Sequence, residues 1–320
     1  MVYYDTRIAL GTECIISIYT ENEDNVIEKL FQELWLKIYK FEQQFSRFIP
    51  ASELTVFNSN AGKKQKISNL FKNILLESLK YSKLTDGMFN PFILPALEKA
   101  GYDHSLLKGF ENDSYIKHTS AKIVNYQQLR VDEDTAYIPK GTAIDLGGIA
   151  KGFLLDLLAN FLSKYKQLYY GFWISLGGDI VTYGYESEQS PIKTYIENDI
   201  ISKKSYVGFV ESVKDKKRAV ATSGINYRKG VKNGKKWHHI INPNTGLSAI
   251  SDISAATVFG SNATFCDVMA SCIIIGGSSN FIELSKKLKL EDVLIQGYIG
   301  IRSNENYYIK TVGSKIKINI

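Results

Sequence analysis

Cysteine and proline are scarce in this chain of 320 residues. The three cysteines, Cys14, Cys266 and Cys272, include no Cys-x-x-Cys pair, which argues against a disulfide framework and against a structural zinc site. Cys266 and Cys272 lie in an apolar stretch with helical character, so we expect them to behave as small buried hydrophobic residues. Six prolines and 24 glycines exclude a collagen-like or proline-rich disordered chain.

Long hydrophobic runs and a strong charge imbalance are also missing. No window reaches about 18 uncharged apolar residues, so no transmembrane helix is expected. The N-terminus shows no secretory signal, so a cytoplasmic location is the default expectation, although a mature or truncated exported form would look the same. With 39 basic and 33 acidic residues, the net charge is only +6. Its lysine clusters are short, which argues against nucleic acid as a partner.

The patterns that are present predict interleaved helices and strands. Apolar residues at spacings of three and four predict a helix over 27–45, and Ser68 is a plausible N-cap for a second helix. A strand, a glycine turn and a helix are predicted over 143–165, and further helices over 262–276 and 279–288. Because this alternation is irregular, a mixed α/β or α+β fold is favoured over a doubly wound sheet.

The segment DLGGIAKG at residues 145–152 is the most informative motif. Its two glycines allow a ligand to approach the backbone closely, and the start of the following helix offers N–H groups to a phosphate. Lys151 would add a positive charge, and Asp145 can accept hydrogen bonds from a ribose or a ring. The pattern is neither of the common phosphate-loop motifs. An anion-binding turn and a plain strand–helix turn therefore both remain open.

Three further segments are ambiguous when taken alone. LGGDI at residues 176–180 is typical of a tight hairpin turn, and AVATSG at 219–224 can expose two hydroxyls to a ligand. His238 and His239 are adjacent, so in a strand they point to opposite faces and cannot easily bind one metal. One of them can serve as a general base, or both can be surface or packed histidines.

Asp267 and Ser271 are four residues apart on a predicted helix and therefore share a face. A carboxylate and a hydroxyl are hard oxygen ligands that suit Mg²⁺. The alternative is that Ser271 makes a local hydrogen bond within its helix.

Taken in order, these segments resemble the ApbE family of flavin transferases, the FAD:protein FMN transferases. The resemblance is carried by DLGGIAKG, LGGDI, AVATSG, HHIINPNTG and CDVMAS, preceded by LGT at 10–12, FSRFIPASELTVFN at 45–58 and GMFNPFILPALEKAGYD at 87–103. The eight segments run from about residue 10 to about residue 277. This combination in a fixed order is specific.

The resemblance implies a single mixed α/β domain over residues 1–320, with a mixed sheet and the FAD cleft inside it. Such enzymes use Mg²⁺ to transfer the FMN moiety of FAD to a threonine or serine hydroxyl, in a flavinylation motif of an acceptor flavoprotein, and release AMP. Some members hydrolyse FAD to FMN and AMP instead.

The resemblance also implies roles for individual residues. His239 would deprotonate the acceptor hydroxyl. A backbone carbonyl near Gly148 and the side chains of Asp267 and Ser271 would hold the metal. The expected flavin-site residues are Leu10, Met88, Phe89, Asn90, Asp145, Lys151 and Ile241.

Several positions depart from the family pattern. Asn90 and Asn242 stand where the family usually has aspartate, Leu10 where it usually has methionine, and Ser271 where it usually has threonine. Serine keeps the hydroxyl, whereas each asparagine removes a negative charge near the expected site. An FAD pyrophosphatase and a flavin-binding protein without turnover therefore remain as alternatives.

Overall fold

The computed structural model describes residues 1–22, 24–103, 122–187, 190–199, 202–298 and 307–318. Within these residues the helices are α1 (Asp24–Phe45), α2 (Glu53–Ser59), α3 (Asn69–Leu84), α4 (Leu94–Ala100), α5 (Ala150–Leu162), α6 (Ala263–Gly276) and α7 (Phe281–Lys287). None of these helices has both the length and the apolar character needed to span a bilayer.

The strands of the described residues are mostly short. They are β1 (Val2–Ala9), β2 (Thr12–Tyr19), β3 (Gln65–Lys66), β4 (Arg130–Val131), β5 (Thr135–Tyr137), β6 (Gly171–Leu176), β7 (Asp179–Gly184), β8 (Lys193–Asn198), β9 (Ser202–Glu211), β10 (Lys217–Gly224), β11 (Lys229–Lys232), β12 (Lys235–His238), β13 (Ile241–Asn242), β14 (Leu247–Ser248), β15 (Ile253–Gly260), β16 (Asp292–Tyr298), β17 (Tyr307–Val312) and β18 (Lys317–Ile318). The predicted mixed α/β class is confirmed.

The long helices form where their side chains can cap and bury them. The Ser68 hydroxyl accepts from the Phe71 N–H at the start of α3, as predicted, and Asn262 caps α6 in the same way. The apolar stripe of α1 is buried as its spacing indicates. The short helices α2 and α4 were not predicted from the sequence.

The chain divides into two compact units. The first unit comprises Met1–Tyr39, Lys151–Gly224 and Ser251–Ile320, and the second comprises Lys40–Ala150 and Ile225–Ile250.

The first unit is built on an eight-stranded sheet with the order β1-β2-β6-β7-β10-β15-β16-β17. All of its strand pairs are antiparallel, so the expected mixture of strand directions is wrong. For two of the pairs, β1–β2 and β6–β7, the physical reason is a tight turn, since a two-residue hairpin can join only antiparallel strands. One such turn lies at Leu10 and Gly11, both with positive φ. The other is the LGGDI segment, which is the hairpin turn between β6 and β7.

The core of the first unit lies where α6 packs on β10 and β15. Every residue of β15 is buried, and α6 is apolar on most of its surface. Cys14, Cys266 and Cys272 are all fully buried free thiols, and the burial predicted for Cys266 and Cys272 is confirmed. Burial also raises the pKa of the Cys266 thiol, with nearby acidic groups adding to the effect.

The second unit contains α2, α3 and α4 with three small antiparallel sheets, β3-β5-β4, β11-β12 and β13-β14. The strand predicted just before the 147–148 glycine pair is absent here. The backbone of Ile144 instead bonds the Asn58 side chain twice, at 2.8 and 2.9 Å. The Asp145 N–H donates to the Pro91 carbonyl. These groups are therefore satisfied without a neighbouring strand.

Candidate functional site

Asp145 lies in the glycine turn of the second unit, where its carboxylate is almost fully buried. Oδ2 accepts from the Gly147 N–H at 2.7 Å, and Oδ1 lies 3.4 Å from the Arg47 Nε. The turn and the guanidinium together satisfy the buried charge.

Arg47 is a residue that the sequence reasoning did not single out. Its guanidinium lies against the rings of Phe48 and Tyr102, at 4.6 and 4.5 Å, and its Nη2 donates to the Tyr102 carbonyl at 2.9 Å. Arg47 belongs to the FSRF segment that carried part of the resemblance. The sequence feature that could have identified Arg47 is its position between aromatic residues, because a planar guanidinium can stack on rings and pair with a carboxylate at the same time.

The segment at 88–90 shares this unit. A Cβ placed on Gly148 would lie 3.6 Å from the Phe89 ring, so these two expected site residues are neighbours. The Asn90 Oδ1 accepts from the Phe92 N–H and its Nδ2 donates to the Val124 carbonyl at 2.8 Å. An ionised aspartate has no donor for that carbonyl. The departure at position 90 therefore has a local structural reason, and both ends of the Asn90 amide are engaged there.

In the first unit, Lys151 forms an ion pair with Asp179, which is 1% exposed. The other oxygen of Asp179 accepts from the Thr222 N–H at 3.1 Å. The DLGGIAKG, LGGDI and AVATSG segments therefore meet through one buried carboxylate. The sequence indicated that Lys151 supplies a positive charge to a ligand, and it gave no role to Asp179. In the structure Asp179 compensates the charge of Lys151.

Asp267 and Ser271 occupy the predicted face of α6. The Asp267 Oδ2 accepts from the Gly152 N–H in the first turn of α5 at 3.0 Å, and the Ser271 Oγ lies 2.8 Å from the Ser223 Oγ of β10. The Ser271 hydroxyl thus bonds a side chain of a neighbouring strand.

The donor set at this point fits a hard divalent cation. A carboxylate and two hydroxyls supply oxygen ligands, the type that Mg²⁺ prefers. Among the described residues no cluster of three or more histidine, cysteine, aspartate or glutamate side chains occurs. Gly148, the source of the other expected ligand, belongs to the second unit.

The two adjacent histidines have different partners. The His238 Nε2 lies 3.0 Å from the Ala249 carbonyl, and its backbone N–H donates to the Ser248 hydroxyl. The His239 Nδ1 lies 3.3 Å from the Arg228 carbonyl, to which its backbone N–H also donates. Because a carbonyl only accepts, this contact is a hydrogen bond in the neutral tautomer that carries its proton on Nδ1 and its lone pair on Nε2.

Three expected flavin-site residues have mainly structural contacts. Ile241 is buried against Ala96 and Leu97 of α4. Leu10 occupies the β1–β2 turn with a φ of 56°. Lys151 has the ion pair described above. Asn242, the other departure, accepts from the Asn244 N–H at 2.9 Å and so stabilises its own turn.

The fold is that of the flavin transferases. The structure aligns with the apo form of the flavinyl transferase ApbE from Pseudomonas stutzeri with a TM-score of 0.79 and 17% identity, covering 97% of this chain and 94% of that one. It aligns with the flavin transferase ApbE from Vibrio cholerae with a TM-score of 0.78 and 20% identity, covering 98% of each chain.

The sequence then specifies the family. The ApbE family model matches residues 10–294, so this chain belongs to the ApbE family, as its motifs indicated. A relative from Treponema pallidum is 24% identical over 293 residues, covering 86% of this chain and 79% of the relative. One from Chlamydia muridarum is 26% identical over 283 residues, covering 83% and 79%. Both relatives are named FAD:protein FMN transferase.

Proposed function

We propose that this chain is an FAD:protein FMN transferase that moves FMN from FAD to a threonine or serine hydroxyl of an acceptor flavoprotein. In this reaction the acceptor oxygen forms a bond to the FMN phosphorus, and the pyrophosphate bond to AMP breaks. AMP leaves with the bonding electron pair, and the hydroxyl proton passes to a base. Family membership over most of the chain supports this proposal.

The observation that carries the proposal is the way the family motifs meet in the first unit. Lys151, Asp179 and the Thr222 N–H are joined through one carboxylate, while Asp267 receives the Gly152 N–H. These contacts join four of the segments by which the chain resembles the family. Residues from motifs that are far apart in the sequence are therefore neighbours in this chain, as a shared site requires.

Asp267 and Ser271 would hold Mg²⁺, which when bound neutralises charge on the pyrophosphate. The Gly152 N–H donates a hydrogen bond to Oδ2 of Asp267 and thereby orients the carboxylate. The Ser223 hydroxyl positions that of Ser271. Such supporting contacts orient ligands and are usually needed for full metal affinity.

His239 would take the proton of the acceptor hydroxyl. Its Nδ1–H points to the Arg228 carbonyl, so the basic lone pair is on Nε2. A base held in one tautomer by a second group is the arrangement that general-base catalysis needs. His238 directs its Nε2–H to the Ala249 carbonyl instead.

In the second unit, Asp145, Met88 and Phe89 would contact the flavin. The Asp145 carboxylate is held in place by Arg47 and Gly147. Lys151 would act at the site through its pairing with Asp179 rather than as an isolated cation.

The test is incubation of the purified chain with FAD and Mg²⁺, with AMP and FMN separated chromatographically and protein-bound flavin measured by fluorescence after denaturation. When an acceptor is present, we expect AMP release together with protein-bound FMN, and EDTA should abolish both. Free FMN at every acceptor concentration would identify a pyrophosphatase. Bound FAD without AMP release would identify a flavin-binding protein, the alternative raised by Asn90 and Asn242.

A further inference from the structure

The positive charge of this protein is concentrated in one short segment. Residues 225–250 contain no aspartate or glutamate, and their five basic residues supply most of the net charge of +6. The remainder of the chain has a net charge of only +1. The basic residues are Arg228, Lys229, Lys232, Lys235 and Lys236.

These cations lie on the β11–β12 hairpin, residues 228–238, which we call the basic hairpin. Its turn is Asn233-Gly234, both with positive φ, as in the common two-residue turn. The four lysines are exposed. In the part of the chain that the structure describes, none of the five cations has a carboxylate within salt-bridge distance.

The strand register places like charges together. Lys232 pairs directly with Lys235 beside the turn, and Val231 pairs with Lys236. Like charges directly opposite each other destabilise a hairpin. An anionic partner would reduce this repulsion. The lysine pairs therefore destabilise the free hairpin and favour the binding of an anion to it.

Aromatic packing holds the hairpin in place. Trp237 covers Gly230, where an added Cβ would lie 2.9 Å from the indole, and the same ring packs on Gly101. Trp237 also stacks on Tyr102 with centroids 6.2 Å apart. The Lys232 Nζ lies 3.1 Å from the Lys99 carbonyl. The basic surface is therefore pre-formed, which reduces the entropy lost on binding.

The basic hairpin also positions His239. This residue directly follows β12, and both its backbone N–H and its Nδ1 contact the Arg228 carbonyl at the start of the hairpin. A partner bound along the hairpin would therefore lie next to the residue that we assign as the base.

We propose that the basic hairpin is the docking site for an acidic segment of the acceptor protein, which brings the acceptor hydroxyl to His239. This inference rests on the proposed function and extends it to acceptor recognition. Lys229, Lys235 and Lys236 supply charge complementarity. Tyr227 and Val231, 51% and 68% exposed, supply apolar contact. Electrostatic matching of this kind raises the rate of encounter and selects the partner.

The test uses two fluorescein-labelled synthetic peptides with one threonine each, one flanked by aspartate and glutamate and the other by asparagine and glutamine. Binding is measured by fluorescence anisotropy at low and high salt. The variant is Lys235→Glu/Lys236→Glu. The matched control is Lys214→Glu/Lys216→Glu, which makes the same change at two exposed lysines in the turn before β10.

We expect the wild type and the control to bind the acidic peptide in preference to the neutral one, with affinity falling as salt rises. The hairpin variant should bind it at least about tenfold more weakly, since each reversal removes one attraction and adds one repulsion. Equal weakening in both variants, or no preference for the acidic peptide, would overturn the inference. The inference would also be overturned if binding of an anionic vesicle or an oligonucleotide depended on the hairpin lysines while binding of the acidic peptide did not.

The proposed function is tested separately with the same wild-type and variant proteins. FAD-induced stabilisation does not require the acceptor peptide, so the hairpin variant should retain it. If the wild type transfers FMN to both peptides alike, with one AMP released for each FMN bound, the docking inference fails and the proposed function stands. If the wild type shows neither FAD-induced stabilisation nor transfer to either peptide, the proposed function itself fails.

Discussion

His239 and His238 are adjacent residues with different partners, and they give the sharpest test at the residue scale. We expect His239→Ala to lose FMN transfer by ~10²–10⁴-fold, the usual contribution of a general base. It should retain FAD binding, measured as the rise in melting temperature on adding FAD. His238→Ala is the matched control. It loses one hydrogen bond to the Ala249 carbonyl, about 1 kcal/mol of stability, but keeps transfer.

The opposite pattern, with His238 essential and His239 dispensable, would show that the assignment is displaced by one residue. Loss of FAD-induced stabilisation in His239→Ala would make this histidine a binding residue and leave the base unidentified.

Asp267 has two roles that a pair of substitutions can separate. Its carboxylate is an expected Mg²⁺ ligand and also accepts the Gly152 N–H. Asp267→Asn keeps an acceptor oxygen but loses the charge, so we expect near-normal folding without Mg²⁺-dependent AMP release. Asp267→Ala also removes the cap of α5 and should lower the free energy of unfolding by about 1 kcal/mol more. Wild-type AMP release by Asp267→Asn at low Mg²⁺ would contradict the ligand assignment.

The Lys151–Asp179 pair predicts a stability effect that does not depend on any ligand. Lys151→Met leaves Asp179 as a buried charge without its cation, which should cost ~3 kcal/mol. Adding Asp179→Asn should recover much of that loss, because the uncompensated charge is then gone. Urea denaturation of the two single variants and the double variant measures the coupling. Additive effects would show that the two side chains do not interact in solution.

Residue types at fixed spacings were predictable from sequence, but their partners were not. The i, i+4 relation placed Asp267 and Ser271 on one helix face, and the motif register selected His239. Nothing in the sequence indicated that Lys151 pairs with a carboxylate 28 residues away. The Asn90 amide was interpreted as a lost charge because its acceptor, the Val124 carbonyl, is set by tertiary packing.

At the scale of elements, the close approach of α5 to α6 depends on Gly152. A Cβ at this position would lie 2.4 Å from the Ala263 carbonyl oxygen and 2.8 Å from the Asp267 Cβ. We therefore expect Gly152→Ala to separate the helices and destabilise the chain by about 1–3 kcal/mol despite the better helix propensity of alanine.

The matched control for this prediction is Gly276→Ala at the end of α6. An added Cβ there would meet only the end of the Leu284 side chain, at 3.1 Å. Thermal unfolding of both variants is the measurement. A melting temperature for Gly152→Ala equal to that of the control would contradict the packing described here.

Capped helices with a clear apolar stripe were predictable, because local signals fix both their start and their buried face. The Ser68 cap of α3 is an example. The strand expected at 143–146 was not found, because its backbone groups bond the side chain of Asn58 and the Pro91 carbonyl. A β-prone pattern indicates a buried, extended segment, but it does not show which groups form hydrogen bonds with its backbone N–H and C=O groups.

At the scale of the whole molecule, the mixed α/β class followed from the interleaved patterns, whereas the direction of the strands did not. β2 pairs with β6, far away in sequence, and β7 pairs with β10. Such pairings depend on which faces must be covered together in the folded chain. The division into two units likewise has no marker in the composition, since no flexible linker separates them.

The measurement that tests the central claim most directly is the ratio of protein-bound FMN to released AMP. The chain is incubated with FAD, Mg²⁺ and protein fractions of its source organism, and AMP is quantified by chromatography while covalent flavin is quantified by fluorescence in denaturing gels. FMN transfer predicts that each AMP released is matched by one FMN bound to an acceptor, and that Asp267→Asn produces neither. AMP accompanied only by free FMN, or no AMP at all, would contradict the proposal.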